Sequence, residues 1–230
     1  MKCSLNYMFP TAVGSFESDN HKEYKRIFMD RLPEHCIHHE GGGLIAGESS
    51  GKVYVHTDSE LEGLFRFISA GVAAYLDQLA FDRSRVDINI VKTWVSATNN
   101  NTVTPVHAHA TSHLSFVYYM NMPKEADAIA FQIPASPNEP FYGAFGASTP
   151  RQRSLVLDRN ALNANQSVLT VEEGQLLVFP SHLMHGTVKL GDMGDETRIS
   201  LAGDVLLVFN EEAPNYATGV FDPRTWRVFN

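Results

Sequence analysis

Only two cysteines, Cys3 and Cys36, occur in 230 residues, and they lack a C-x-x-C spacing. A disulfide framework and a thiolate zinc site are therefore not expected, and both read as reduced thiols. Basic residues are also scarce: 18 Lys and Arg face 26 Asp and Glu, the formal net charge is −8, and no Lys/Arg cluster occurs. Nucleic acid and anionic membranes call for a basic face, so neither is an expected partner. No apolar run approaches the about 18 residues of a membrane-spanning helix. The first sixteen positions hold one lysine and no continuous apolar segment, so they do not read as a signal peptide, and the expected location is the cytoplasm. Gly41-Gly42-Gly43 lacks the G-x-G-x-x-G spacing of a dinucleotide loop and reads as a turn. No internal repeat or convincing linker splits the chain, so 1–230 is expected to be a single domain.

The patterning that is present divides this domain into a helical support layer (1–84), a strand-rich core (85–210) and a C-terminal extension (211–230). Asp19 or Asn20 starts a helix that is expected to stop at about Leu32, before Pro33; Tyr24, Ile27 and Phe28 share one face. Asp58 or Ser59 starts a second, running to about Ala80, with a stripe of Leu61, Leu64, Phe65, Ile68, Val72, Tyr75, Leu76 and Leu79 to lie against a sheet. From Arg85 the period shortens to two. Val86, Ile88, Ile90, Lys92 and Trp94 alternate with Asp87, Asn89 and Val91. Further strands are expected over 103–109, 112–121, 128–133, 154–157, 175–179, 186–190 and 198–209. This is the profile of a mostly β sandwich or jelly roll with flanking N-terminal helices. The loop 134–153, with Phe141 to Phe145, reads as a lid or binding loop. The C-terminal Trp226 to Phe229 would complete the sheet or dock on a neighbour.

Chemistry concentrates in three places. His107-Ala-His109 on a strand would point both imidazoles to one face. His185, at the end of a strand running into Pro180, would add a third nitrogen and leave coordination positions open. Arg198 and Ser200, two apart on a strand, offer a guanidinium and a hydroxyl to a carboxylate; the competing reading is an ion pair with Asp192, Asp195 or Glu196. His113 is a weaker ligand candidate, and His182 would line an entrance. His21, His35, His38, His39 and His56 read as surface residues.

The ordered combination of Trp94, Pro105 to His109, His113 to Met120, Gly174 to His185 and Glu196 to Ser200 resembles the 2-oxoglutarate/Fe(II) oxygenases of bacteria and phages. The resemblance covers roughly the second half of the chain. It implies a double-stranded β-helix, cupin-like in form, with Fe(II) held by His107 and His185 and 2-oxoglutarate as co-substrate. It further implies Arg198 and Ser200 at the distal carboxylate of that co-substrate, with Tyr118, or else its neighbour Tyr119, contacting it from the neighbouring strand. No catalytic residue beyond the metal ligands is implied. The chain departs from the H-x-D/E…H pattern at His109, which is taken as a third ligand, with Asp192, Asp195 and Asp204 as conceivable replacements. It departs again at Ala110, where the family often has proline, and at Phe116, where it often has glycine and where a bulky ring would reshape the pocket.

The expected function is hydroxylation of an unactivated C–H bond in a small molecule or peptide. Two other classes compete: a three-histidine enzyme without 2-oxoglutarate, either a zinc hydrolase or an iron dioxygenase, and a non-enzymatic cupin-like binding protein. The substrate and the oligomeric state stay open, a homo-oligomer included.

Overall fold

The computed structural model describes residues 10–38, 44–45, 52–123, 128–134, 136–141, 143–145, 155–210 and 227–228. Cys3, the glycine run, His39, Ser154, Tyr142 and Trp226 lie outside them, and with them most of the C-terminal extension. Among the described residues no helix is long and apolar enough to cross a membrane.

The chain enters through β1 (Gly14–Glu17), forms α1 (His21–His35) and a short β2–β3 pair (Ile37–His38, Leu44–Ile45), and then α2 (Glu62–Gln78). Seven strands follow: β4 (Val86–Thr98), β5 (Leu114–Asn121), β6 (Ala128–Gln132), β7 (Gln166–Leu169), β8 (Gln175–Pro180), β9 (Met184–Val188) and β10 (Arg198–Phe209). They form two antiparallel sheets, β1-β8-β5-β10-β4 and β7-β6-β9. The two sheets with helices outside make the expected jelly roll, or double-stranded β-helix.

The large sheet is buried on both faces, and its two apolar faces do different things. Phe116, Tyr118, Met120, Leu176, Val178 and Leu201 face the helices and meet Phe28, Leu64, Ile68 and Val72. Val117, Tyr119, Leu177, Phe179 and Ala202 face inward, toward Ile129 and Phe131 of the small sheet. The ring of Phe116 therefore turns to the helix side. It packs where Gly203 has no side chain: a Cβ there would lie 2.5 Å from the ring.

One irregularity decides which residues reach the interior. The pairing of β10 with β4 shifts at Asp204/Val205, where Asp204 faces Lys92 but Val205 faces Ile90. Val91 is the extra residue, and an extra residue reverses every side chain beyond it. The expected common face of Val86, Ile88, Ile90, Lys92 and Trp94 is thus broken. Ile88 and Ile90 pack on the helix-side core, whereas Trp94 joins the interior.

Other differences from expectation have local causes. α1 continues through Pro33 to His35, because a proline in the last turn removes one N–H bond without ending the helix. The second helix begins with a 3-10 turn, Ser59–Leu61, capped by the Asp58 side chain on Glu60 N–H, and α2 proper starts at Glu62. Its apolar stripe is buried except Leu79, which the chain turns outward as it leaves the helix. The strand expected at 154–157 is absent from its described part, where Leu157 is 97% exposed. The short β2–β3 pair was not expected, nor was β7, an edge strand with Val168 and Leu169 exposed, which gives no clean alternation.

Asp58 also ties the helices together. Its carboxylate accepts hydrogen bonds from Arg31 Nε (2.8 Å) and His35 Nε2 (2.9 Å) as well as from Glu60 N–H. Burial opposes its ionisation, but these donors outweigh burial and hold the carboxyl below its ordinary range. A depressed carboxylate stabilises the fold above its unfolded value and loses that contribution as pH falls through the folded one. Asp58→Asn is therefore expected to lower the urea midpoint at neutral pH, with the gap to wild type closing as the pH is taken down through the carboxylate range. At the end of α2, Ala80 adopts φ 54° and is exposed, with Ala80 N–H and Phe81 N–H closing on Asp77 and Leu76 carbonyls. A left-handed alanine is strained where glycine is not. Ala80→Gly should raise stability by about 0.5–1 kcal/mol, the relief being partly offset by a freer unfolded chain; an unchanged or lower denaturation midpoint would contradict this.

Candidate metal centre and co-substrate pocket

The histidines come together through main-chain pairing rather than through one regular strand. Residues 104–109 run beside β9 as an extended segment. His107 N–H donates to the His185 carbonyl (2.9 Å) and His185 N–H to that of His107 (2.8 Å). Thr187 N–H binds the Thr104 carbonyl, and His109 N–H binds that of Ser181. The close approach needs Gly186: a Cβ there would meet Thr104 O and the Val106 backbone at 3.0 Å. His185 is not at the end of the strand that reaches Pro180. That strand, β8, closes in a turn at Ser181–Leu183, and His185 lies on β9 in the other sheet.

One potential ligand atom from each of His107, His109 and His185 lies within 4.8 Å of the others. The rings contact one another, with centroids 4.5–5.1 Å apart. Hydrogen bonding settles which nitrogens are free. His107 Nδ1 is 2.8 Å from the Pro105 carbonyl, and His185 Nδ1 is 2.8 Å from that of Leu183. A carbonyl only accepts, so each Nδ1 carries the proton and each neutral ring keeps its lone pair on Nε2. His109 Nδ1 lies 2.5 Å from Asp204 Oδ1, which leaves its Nε2 free in the same way. Metal-binding histidines are commonly oriented by such acceptors at the remote nitrogen. Burial, reinforced by the neighbouring imidazoles, pushes His185 down to about 4, so it is neutral and able to ligate near pH 7. Three convergent imidazole nitrogens suit a first-row divalent ion such as Fe(II).

The pocket beside the cluster is lined by Trp94, Ser96, Val117, Ile129, Arg198 and Ser200, among others. Arg198 is 3% exposed, whereas Asp192, Asp195 and Glu196, its alternative partners, are exposed. Among the described residues no carboxylate pairs with it. Its Nη1 reaches Thr98 Oγ1 at 3.4 Å, and the guanidinium lies 5.1 Å from the centre of the Tyr119 ring. Arg198 Nε and Tyr119 Oη are both buried and have no hydrogen-bond partner among the described residues. Unpaired buried donors are costly, and a guanidinium beside a hydroxyl is a receptor for a carboxylate. Burial pushes the Tyr119 phenol up to about 12, against the opposing pull of Arg198, so it is a neutral donor. The polar atoms present therefore fit an acid such as 2-oxoglutarate.

Tyr118, the co-substrate contact expected from the sequence, is not at this pocket. Strand alternation sends it to the helix side, where its hydroxyl is 2.9 Å from His21 Nδ1. Tyr119, the neighbouring alternative, faces Arg198. His113 is likewise turned away, its Nδ1 accepting from Leu207 N–H, and His182 is exposed outside the cluster. Three histidines expected at the surface are half-buried and engaged: His21 with Tyr118 and Glu173, His35 with Asp58, and His56 with Thr93. Asp204 stands behind His109 rather than replacing it. Sequence spacing pairs Asp204 with nothing, although its place on the arginine-bearing strand, six residues on, gives it the same inward parity as Arg198 and Ser200.

Residues 92–204 match a family model described as "Putative 2OG-Fe(II) oxygenase". A comparison with curated protein sequences gives no match. Among solved structures, the chain is similar to the non-heme alpha ketoglutarate dependent epimerase SnoN from nogalamycin biosynthesis: 14% identity over 90% of this chain and 84% of the other, TM-score 0.54. SnoN has also been solved in complex with Fe3+, alpha ketoglutarate and nogalamycin RO (14% identity, 90% and 88% covered, TM-score 0.53). A Pseudomonas putida prolyl-4-hydroxylase matches at 11% identity over 85% of this chain and 92% of the other, TM-score 0.50. At these identities the likeness is one of fold. The family match, by contrast, spans all three histidines and the buried arginine, and over residues 92–204 the chain is similar to the 2-oxoglutarate- and Fe(II)-dependent oxygenases.

Proposed function

We propose that the chain hydroxylates an unactivated C–H bond of a small molecule or peptide, with Fe(II) on His107, His109 and His185 and with 2-oxoglutarate on Arg198. One observation carries this reading: three Nε2 lone pairs converge at a pocket lined by Arg198, whose buried Nε has no hydrogen-bond partner among the described residues and whose guanidinium lies beside the equally unpaired phenol of Tyr119. The chemistry such a centre supplies when loaded is reduction of dioxygen, with two electrons from decarboxylation of 2-oxoglutarate to succinate and two from the substrate C–H bond. The protein's part is to bind, orient and exclude. Arg198 and Tyr119 would hold one carboxylate of the acid, with Ser200 on the same strand face. Trp94, Val117, Ile129 and Phe179 supply apolar walls that keep water from the reacting atoms and strengthen the charged contact. The pocket is narrow, and the long connection between β6 and β7 leaves the small sheet beside His185, where a substrate would approach.

The direct test is succinate formation from 2-oxoglutarate with Fe(II) and oxygen. Arg198→Ala is expected to abolish saturable dependence on 2-oxoglutarate, and Arg198→Lys to raise its KM more than it lowers kcat, because lysine cannot form the bidentate contact. Turnover that is unaffected by Arg198→Ala would sink the assignment.

The two tyrosines offer a sharper contrast. Tyr119→Phe removes an unpaired buried hydroxyl, so the ligand-free protein should be stabilised by about 1 kcal/mol while 2-oxoglutarate binding weakens. Tyr118→Phe breaks the bond to His21 and should cost about 1 kcal/mol with 2-oxoglutarate affinity unchanged. Urea denaturation and anaerobic calorimetric titration read both, and the opposite pattern would return the co-substrate role to Tyr118.

A further inference from the structure

The position where the two-histidine-one-carboxylate set has its acidic ligand is held here by an imidazole, His109, and an acid stands directly behind it. Asp204 Oδ1 lies 2.5 Å from His109 Nδ1 and also accepts from Ser112 Oγ at 2.9 Å and Ser115 Oγ at 3.2 Å. Ser181 Oγ closes the cluster, 2.8 Å from Ser112 and 2.9 Å from Ser115. The group is interior: Asp204 is 4% exposed, Ser115 1% and Ser181 0%. Among the described residues His109 is the imidazole that meets the Asp204 carboxylate. The other two imidazoles differ, since His107 and His185 give their Nδ1 protons to main-chain carbonyls. One ring of three therefore has a full negative charge at its remote nitrogen, and it is the ring in the place of the missing carboxylate.

An anion at Nδ1–H draws that proton toward itself and raises electron density at Nε2, which makes the ring a stronger, more anionic donor. We propose that Asp204 is the anionic member of the metal centre, acting through His109. The pair does in two residues what a ligating carboxylate does in one. The inference rests on the three-histidine centre proposed above. Asp204 is a positioning residue, since the imidazole separates it from the metal. Two serine hydroxyls, Ser112 and Ser115, donate to the carboxylate without neutralising it, and Ser181 ties the two together.

The test uses the full chain, stripped of metal and titrated anaerobically with Fe(II), and separately with Co(II) as a spectroscopic probe. Asp204→Asn keeps the side-chain volume and an acceptor oxygen and removes the charge. It is expected to weaken Fe(II) binding by about 10–100-fold and to shift the Co(II) d–d bands, with the far-UV circular dichroism retained. A purely structural role would lower the denaturation midpoint and leave both metal readouts alone. Adding His109→Asp to Asp204→Asn moves the charge onto the ligand itself and should restore most of the lost affinity. Fe(II) affinity of Asp204→Asn within about threefold of wild type, well short of the loss expected for such an outer partner, or no recovery in the double variant, overturns the proposal. If Asp204→Asn alone does not fold, the double variant is compared with His109→Asp. A direct carboxylate makes the second one redundant and repulsive, so weaker binding by the double variant would overturn the proposal, and equal or tighter binding supports it. A wild-type protein that takes up neither metal overturns the three-histidine reading itself, and this one with it.

Discussion

A reciprocal pair of main-chain hydrogen bonds, His107 to His185 and back, is the contact on which the centre depends. It joins a segment without regular strand structure to the edge of the small sheet. Backbone pairing fixes the spacing of two imidazoles without spending either side chain, so both rings stay available. Each then gives its Nδ1 proton to a carbonyl two residues back along its own chain. The ring orientation is thus set by the same extended backbone that carries it. The third ring cannot use this device, because His109 bridges instead to Ser181 and β8, and its remote nitrogen meets a side chain of the large sheet. The centre consequently spans both sheets, and its geometry depends on how they pack.

The interior between the sheets is correspondingly divided. Near the histidines it is polar: Ser112, Ser115, Ser181 and Asp204 form a connected network with its hydrogen bonds made. Near the other end of β10 it is polar and incomplete, with Arg198 Nε and Tyr119 Oη unpaired. The apolar residues Trp94, Val117 and Ala202 separate the two. A satisfied network rigidifies, whereas an unsatisfied pair leaves its hydrogen-bonding capacity unused. The same four strand positions of β10, read every second residue from Arg198 to Asp204, supply both.

Much of this was legible in the sequence because it follows from periodicity. The apolar stripe of α2, the long strand 198–209 and the inward parity shared by Arg198 and Ser200 are all local patterns. The three histidines were legible as residue types in an ordered set, although not as a consequence of one strand. What escaped depends on pairing with a distant partner. Tyr118 and Tyr119 are adjacent and chemically alike, and only the register against β10 and β8 says which faces the arginine. The extra residue Val91 is invisible until β10 lies beside β4. His21, His35 and His56 read as surface residues because their partners, Tyr118, Asp58 and Thr93, lie 97, 23 and 37 positions away. Asp204 was in view as a conceivable replacement ligand rather than as a partner of His109, since nothing along the chain places it behind that ring.

Gly186 has a consequence for the dimensions of the site. Its missing methyl is what lets two backbones meet at the van der Waals limit, with Thr104 O and Val106 lying where a Cβ would come within 3.0 Å. The distance between the histidine-bearing segment and β9 is thus measured by a hydrogen atom. Any larger residue would act as a spacer, parting His107 from His185 by a few tenths of an ångström while leaving all three imidazoles in the sequence. The bite of the centre, and with it the size of ion it can grip, is written in a residue that has no side chain to offer.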